Sequence, residues 1–163
     1  MHGVEFFRSG ETLLAILVRA NATSDQKYNF LSDPSQPLQL GMNFYRAGET
    51  IPNHAHLPRE IHVNRVQEAI LIGEGRTKLV LYDDRKEKVA ELELTKGDLV
   101  LLTGGGHGFE ILEDTKILEV KQGPYDPAVA VDFAPWAPAE GSAEVPRFQD
   151  WLRTAEVGRI FKT

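Results

Sequence analysis

The chain contains no cysteine in 163 residues, which removes disulfide frameworks and thiolate metal sites and leaves histidine and carboxylate as the metal-binding side chains. Dense clusters of lysine and arginine are also missing. With 18 basic against 24 acidic residues and a formal charge of -6, the composition argues against a nucleic-acid partner or an anionic membrane surface, both of which select for a basic stripe. Long apolar runs are lacking too. The longest near the start, LLAILV from Leu13, spans six residues, too few for a signal-peptide core or a membrane span, so a cytoplasmic protein is expected. No internal repeat or heptad is present, and no helical segments alternate with the apolar stretches, which disfavours a parallel α/β fold.

What is present is a succession of short strand-like runs. VEFF, then LLAILVRA after a turn at Ser9 and Gly10, open the chain; the second run is short enough to favour strand over helix. Residues 21–39 are rich in Asn, Ser, Asp and Pro and read as loop with one short strand near residues 28–31. Residues 40–46 alternate, with Leu40, Met42 and Phe44 on one side. TKLVLYD and KVAELEL around a charged DRKE turn read as a hairpin, and GDLVLL, HGFEIL and ILEVKQ follow at the spacing of an all-β sandwich or barrel.

Polar residues interrupt this pattern at positions that matter chemically. His54 and His56 stand two apart, so that on a strand both imidazoles project from one face. Glu68 shares a face with Ile70 and Ile72 in EAILI, and His107, after a triple glycine, shares one with Phe109 and Ile111. Both polar heads are thus aimed toward a core, where an ionisable group needs a partner. Three imidazoles and a carboxylate suit one divalent transition metal, Fe, Mn, Ni, Zn or Cu. Read singly, the HxH pair could be turn or surface histidines, Glu68 a solvated strand residue, and His107 a loop residue.

These segments resemble the two motifs of the cupin superfamily over residues 38–124. Gly48 stands six before His54, His56 completes the HxH pair, and Glu68 stands seven before Gly75, as in the family's first motif. Eleven residues separate His56 from Glu68, more than the family's few, which reads as an insertion. Glu60 follows His56 at the family spacing but has Gln67 where glycine belongs, and it sits after Pro58 in a charged, loop-like stretch. Glu68, leading into an apolar strand, is the preferred carboxylate. A third register puts His62 and Asn64 in the HxH positions. The second motif matches at Gly97 and His107, but Thr103 replaces proline and Ile111 stands where asparagine is usual.

The resemblance implies a single-domain antiparallel jelly-roll β-barrel over residues 38–124; the residues outside it read as N-terminal strands and loop (1–37) packed on the barrel and a C-terminal extension (125–163). It also implies His54, His56, Glu68 and His107 as metal ligands, and a homodimer. The extension begins rich in proline and alanine and ends in RFQDWLRTAEVGRIF, a short helix with Phe148, Trp151 and Leu152 on one face. It is expected to pack on its own barrel or a partner subunit's, over the pocket mouth. Arg46, Arg59 and Arg65 flank the motifs and could fork onto a carboxylate or phosphate.

Functionally, the expectation is a metal-dependent enzyme, a dioxygenase or isomerase acting on a small sugar-like or oxo-acid molecule. The alternatives are a non-catalytic small-molecule-binding cupin, or a metal-free isomerase or epimerase that uses histidine as acid and base.

Overall fold

Apolar residues at every second position need a second layer to cover them, and in the computed structural model, which describes residues 1–126, 136–139 and 141–162, they obtain it from two facing antiparallel sheets. The elements are β1 (His2–Ser9), β2 (Thr12–Thr23), β3 (Tyr28–Phe30), β4 (Gly41–Asn43), β5 (Glu68–Glu74), β6 (Arg76–Tyr82), β7 (Lys88–Thr95), β8 (Leu99–Leu102), β9 (Gly106–Ile111), β10 (Lys116–Lys121) and one helix, α1 (Val145–Thr154). The larger sheet has the order β1-β2-β8-β5-β10, the smaller β7-β6-β9, and β3-β4 forms a two-stranded arm.

Pairing registers decide which side chains meet between the sheets. Ile70 lies opposite Val100 and Leu17 opposite Val100 from the other side, while in the smaller sheet Leu79 lies opposite both Leu92 and Phe109. Residues directly opposite one another share a face, so these side chains form one core with Ala15, Ile72, Leu81, Leu94 and Leu102. Burying each Leu or Ile contributes about 2 kcal/mol, and this layer dominates the stability of the fold.

Both outer faces are covered by other parts of the chain. Ile16 and Leu101, pointing outward from the larger sheet, pack with Leu31, Leu38, Leu40 and Met42 of the arm. Val80 and Tyr82, pointing outward from the smaller sheet, pack against Trp136, Phe148, Trp151 and Leu152. The C-terminal extension therefore packs on its own sheets. Its tryptophans and α1 lie on the outer face, away from the space between the sheets, and not over the mouth as expected, whereas Tyr125 at its start stays beside Lys121; residues 127–135, 140 and 163 lie outside the description. Lys88 fixes it there: its buried ammonium donates to the carbonyls of Leu152 (3.3 Å) and Ala155 (2.6 Å) at the C-terminal end of α1. A cation at that end complements the helix dipole.

The two sheets do not close into a barrel among the described residues. β9 and β10 are open edges, and all six residues of β10 are at least partly open to solvent. Between β4 and β5 the chain has no helix or strand, and every residue of 44–66 is exposed, so this stretch, with His54 and His56 in it, is irregular where strand was expected. Prolines at positions 52 and 58 withhold two ladder donors from it. β2, conversely, runs to Thr23, into the stretch read as loop, because β1 pairs with it as far as that residue. Among the described residues no helix is long and apolar enough to cross a membrane.

Candidate functional site

Between the open edges, at the mouth of the space separating the sheets, polar side chains replace the hydrophobic core. Glu68 is the first residue of β5 and lies opposite Leu102 of β8, so its side chain continues the inward row of Ile70 and Ile72. His107 lies opposite Leu81 of β6, in the inward row of Phe109. From opposite sheets the two side chains converge, and His107 Nε2 lies 3.3 Å from Glu68 Oε2. Residues far apart in the sequence thus meet because their strands face one another.

The triple glycine ahead of His107 is required by the backbone's path. Gly105 adopts φ +64°, and a Cβ there would lie 2.0 Å from the Tyr82 carbonyl oxygen; at Gly106 a Cβ would lie 2.6 Å from the indole of Trp136. Only glycine lets β9 begin this close to the end of β6 with the tryptophan laid over it. Thr103, at the position where proline was expected, donates its hydroxyl to the Leu13 carbonyl at 2.8 Å and ties the same turn to β2.

β10 adds two residues that the motif spacing did not single out. Lys121 lies opposite Glu68 and Glu119 opposite Ile70, which turns both toward the mouth. Lys121 Nζ stands 3.5 Å from Glu68 Oε1 and 2.5 Å from Glu119 Oε1, and 5.1 Å from the centre of the Tyr125 ring. The signal that could have found them is the period of two through ILEVKQ once its register against β5 is known. Glu110 faces the other way, toward Lys78 at 3.2 Å, and Gln122 accepts from the backbone N–H of Gln67 at 2.8 Å, closing the entry to β5.

Electrostatics set the protonation state of the mouth. Burial pushes the His107 imidazole below its ordinary value; the Glu68 and Glu119 carboxylates oppose this and Lys121 adds to it. Its side chain nonetheless keeps about a third of its surface open (34%), so it is reachable from solvent. The Lys121 ammonium is held above the ordinary lysine value, first by Glu119 and also by Glu68.

The other predicted residues stand apart from this cluster in the irregular segment. The rings of His54 and His56 are 5.3 Å apart, edge to face, and His54 Nδ1 is 2.8 Å from the Pro52 carbonyl. That contact makes Nδ1 the donor and leaves Nε2 with the free lone pair. Glu60, His62 and Arg59 are exposed on the same segment. Arg65 pairs with Asp84 at 2.9 Å and reaches over Gly104 in the glycine turn, whereas Arg46 sits in a turn where its N–H donates to Glu49. Among the described residues no three of His, Asp and Glu gather closely enough to hold an ion.

The convergent pair supplies two donors, fewer than the three or four protein ligands of a metal site, and its 3.3 Å separation is that of a close imidazole–carboxylate contact. An open cavity of about 400 Å³ beside α1, lined by Trp151, Thr154, Glu156 and Arg159, contains none of these residues. It is a shallow surface hollow without convergent acid-base groups, and the mouth is the better candidate on its chemistry. Comparison with known proteins adds no constraint: no family model, curated protein or solved structure matches this chain.

Proposed function

We propose that the chain is a metal-binding cupin whose site is the mouth between the sheets, and that it acts on a small polar molecule there. The observation that carries this reading is the 3.3 Å approach of Glu68 and His107 from facing sheets. The strand order supports a jelly roll. From β5 onward the chain passes between sheets as an eight-stranded double-sheet fold does, with β5, β8 and β10 in one sheet and β6, β7 and β9 in the other. The edges at β9 and β10 are where the remaining strands would add, and residues 44–66 are the segment available to supply them. Its exposed Ile51, Leu57, Ile61 and Val63 favour such packing, which would bring His54 and His56 to the mouth as third and fourth ligands.

When bound, the metal would supply a Lewis acid and a template for a bidentate ligand. The chain's own residues orient and hold: Glu68 and His107 are fixed by β5 and β9, and Lys121 and Glu119 set the charge beside them. A homodimer is part of the same proposal, since pairing would cover the other two sheet edges, β1 and β7.

Elemental analysis of protein purified without chelators or tag metal tests the reading. The expected result is one divalent metal per chain, lost in Glu68→Ala and in His54→Ala but kept in Glu60→Ala. Full metal content in Glu68→Ala would overturn the ligand set. A second reading is favoured by Glu68 and His107 approaching without a third ligand: a metal-free acid-base pair, His107 exchanging the proton and Glu68 orienting it. Protein that takes up no metal even after loading would move the assignment to that pair.

A further inference from the structure

His107 enters the mouth directly after Gly104, Gly105 and Gly106. Three glycines have no side chains with which to fix the direction of the residue they precede, so the place of the imidazole depends on what lies against them. The Leu13 carbonyl and the Arg65 guanidinium lie over Gly104, and the Tyr82 carbonyl lies over Gly105. Over Gly106 lies the indole of Trp136, with three carbons of its six-membered ring within 3.3 Å of where a Cβ would stand. Trp136 belongs to the C-terminal extension, so a segment docked on the outer face bears on the backbone that presents His107 inward.

The indole is itself held. It meets Tyr82 edge to face at 5.1 Å, and Tyr82 stacks in turn on Trp151 of α1. Lys86 Nζ stands 4.7 Å from the centre of the Trp136 ring. Lys86 reaches it from a strained backbone: its φ of +68° is the one positive value at a non-glycine residue among the described residues, a conformation that glycine adopts freely and lysine does not. The same turn secures the other flank, since Asp84 pairs with Arg65 at 2.9 Å.

We propose that Trp136 is a positioning residue for His107: laid on Gly106 by the docked extension and held there by Lys86, it sets where the imidazole stands in the mouth. This rests on the mouth being the site but on neither reading of its chemistry, because the imidazole must face Glu68 whether it binds an ion or exchanges a proton. It also accounts for the strain at Lys86. Glycine would ease the turn, but a long cationic side chain is what reaches the ring. Where the indole leaves, the three glycines regain their freedom and the approach of His107 to Glu68 loosens.

The test follows the reaction of His107 with diethyl pyrocarbonate in the full chain at one fixed pH, without metal or substrate, so failure of either reading of the mouth cannot pass for failure here. The tryptic peptide 97–116 carries His107 and no other histidine, while His54 and His56 fall in 47–59 and His62 in 60–65, so mass spectrometry reads His107 apart from the exposed histidines. Trp136→Ala should speed its modification at least about fivefold and leave His54, His56 and His62 unchanged. Lys86→Gly should speed it about twofold to fivefold while Tm stays at or above the parent's, because the strain at φ +68° goes with the side chain. Hydrogen exchange in β5 should keep the parent's rate in both variants. An unchanged His107 rate in folded Trp136→Ala, exchange in β5 rising alongside it, or a lowered Tm accompanying the faster reaction of Lys86→Gly overturns the positioning role and leaves the mouth as the candidate site. If Trp136→Ala does not fold, Lys86→Gly decides alone by the same criteria.

Discussion

Lys88→Met is expected to release the C-terminal helix before the sheets unfold. Methionine keeps the unbranched stem but removes the ammonium, which in the native protein is buried, donates to the Leu152 and Ala155 carbonyls, pairs with Glu91 and lies 5.7 Å from the centre of the Trp151 ring. Each hydrogen bond from a charged donor is worth about 1.5 to 3 kcal/mol, and a cation at a partly buried helix C-terminus adds up to about 2 kcal/mol. Against this stands the desolvation of the ammonium, several kcal/mol, which the substitution relieves. Glu91 is not stranded, since it is a third exposed and keeps Lys78 at 3.5 Å. The net loss comes to about 2 kcal/mol, equivalent to a fall of about 4 to 8 °C in Tm for a domain of this size. The assay is urea unfolding followed by tryptophan fluorescence and by far-ultraviolet circular dichroism. Both tryptophans, Trp136 and Trp151, belong to the cluster under α1, so fluorescence reports docking of the extension while dichroism reports the sheets. The fluorescence transition should move to lower urea than the dichroism transition. A variant at least as stable as the parent, with unshifted emission, would refute the reasoning and mark the buried ammonium as a burden on the fold.

Three further outcomes follow from named contacts. Asp83 caps the turn between β6 and β7, accepting from the N–H groups of Arg85 (2.9 Å) and Glu87 (3.1 Å) and from the Arg85 side chain (3.2 Å). Burial raises its pKa, but these donors outweigh it and hold the value below the ordinary carboxylate range. A depressed folded value means that its contribution is whole above the unfolded value, about 4, and is lost as the pH falls through the lower folded value. Denaturation midpoints measured from pH 6 downward should therefore fall less steeply below about pH 4 in Asp83→Asn than in the parent; parallel curves would contradict the assignment. Gly105→Ala places a side chain at φ +64° and against the Tyr82 carbonyl, and should cost at least about 2 kcal/mol in thermal unfolding, whereas an unchanged Tm would mean that β9 can start elsewhere. Limited trypsin digestion should cut first after Arg59, in the exposed segment, and Mn²⁺ should slow that cut if His54 and His56 close over the mouth; first cleavage in the C-terminal extension would count against the docking described above.

Much of the architecture was legible because a strand advertises itself locally. The alternation in EAILI, TKLVLYD, KVAELEL and HGFEI placed β5, β6, β7 and β9 to within a residue or two, and the helix face of Phe148, Trp151 and Leu152 matched the cluster found on the smaller sheet. That same alternation put Glu68 and His107 on inward faces, since facing follows from parity along a strand. The segment around His54 and His56 carried no such signal. Its motif spacing came from resemblance, and its prolines and charges leave its backbone irregular here.

Sequence by itself therefore determined the all-β antiparallel class, most strand positions, the absence of thiolate chemistry and the inward aim of Glu68 and His107, because composition and period-two patterning are properties of neighbours in the chain. Only the tertiary structure decided that those two residues touch, that Lys121 and Glu119 join them, and that the C-terminal helix lies on the opposite face, held by Lys88. Each of these depends on pairing register and on which sheet packs against which. Shifting a register by one residue turns every side chain of that strand to the other face, and nothing local to the strand fixes it.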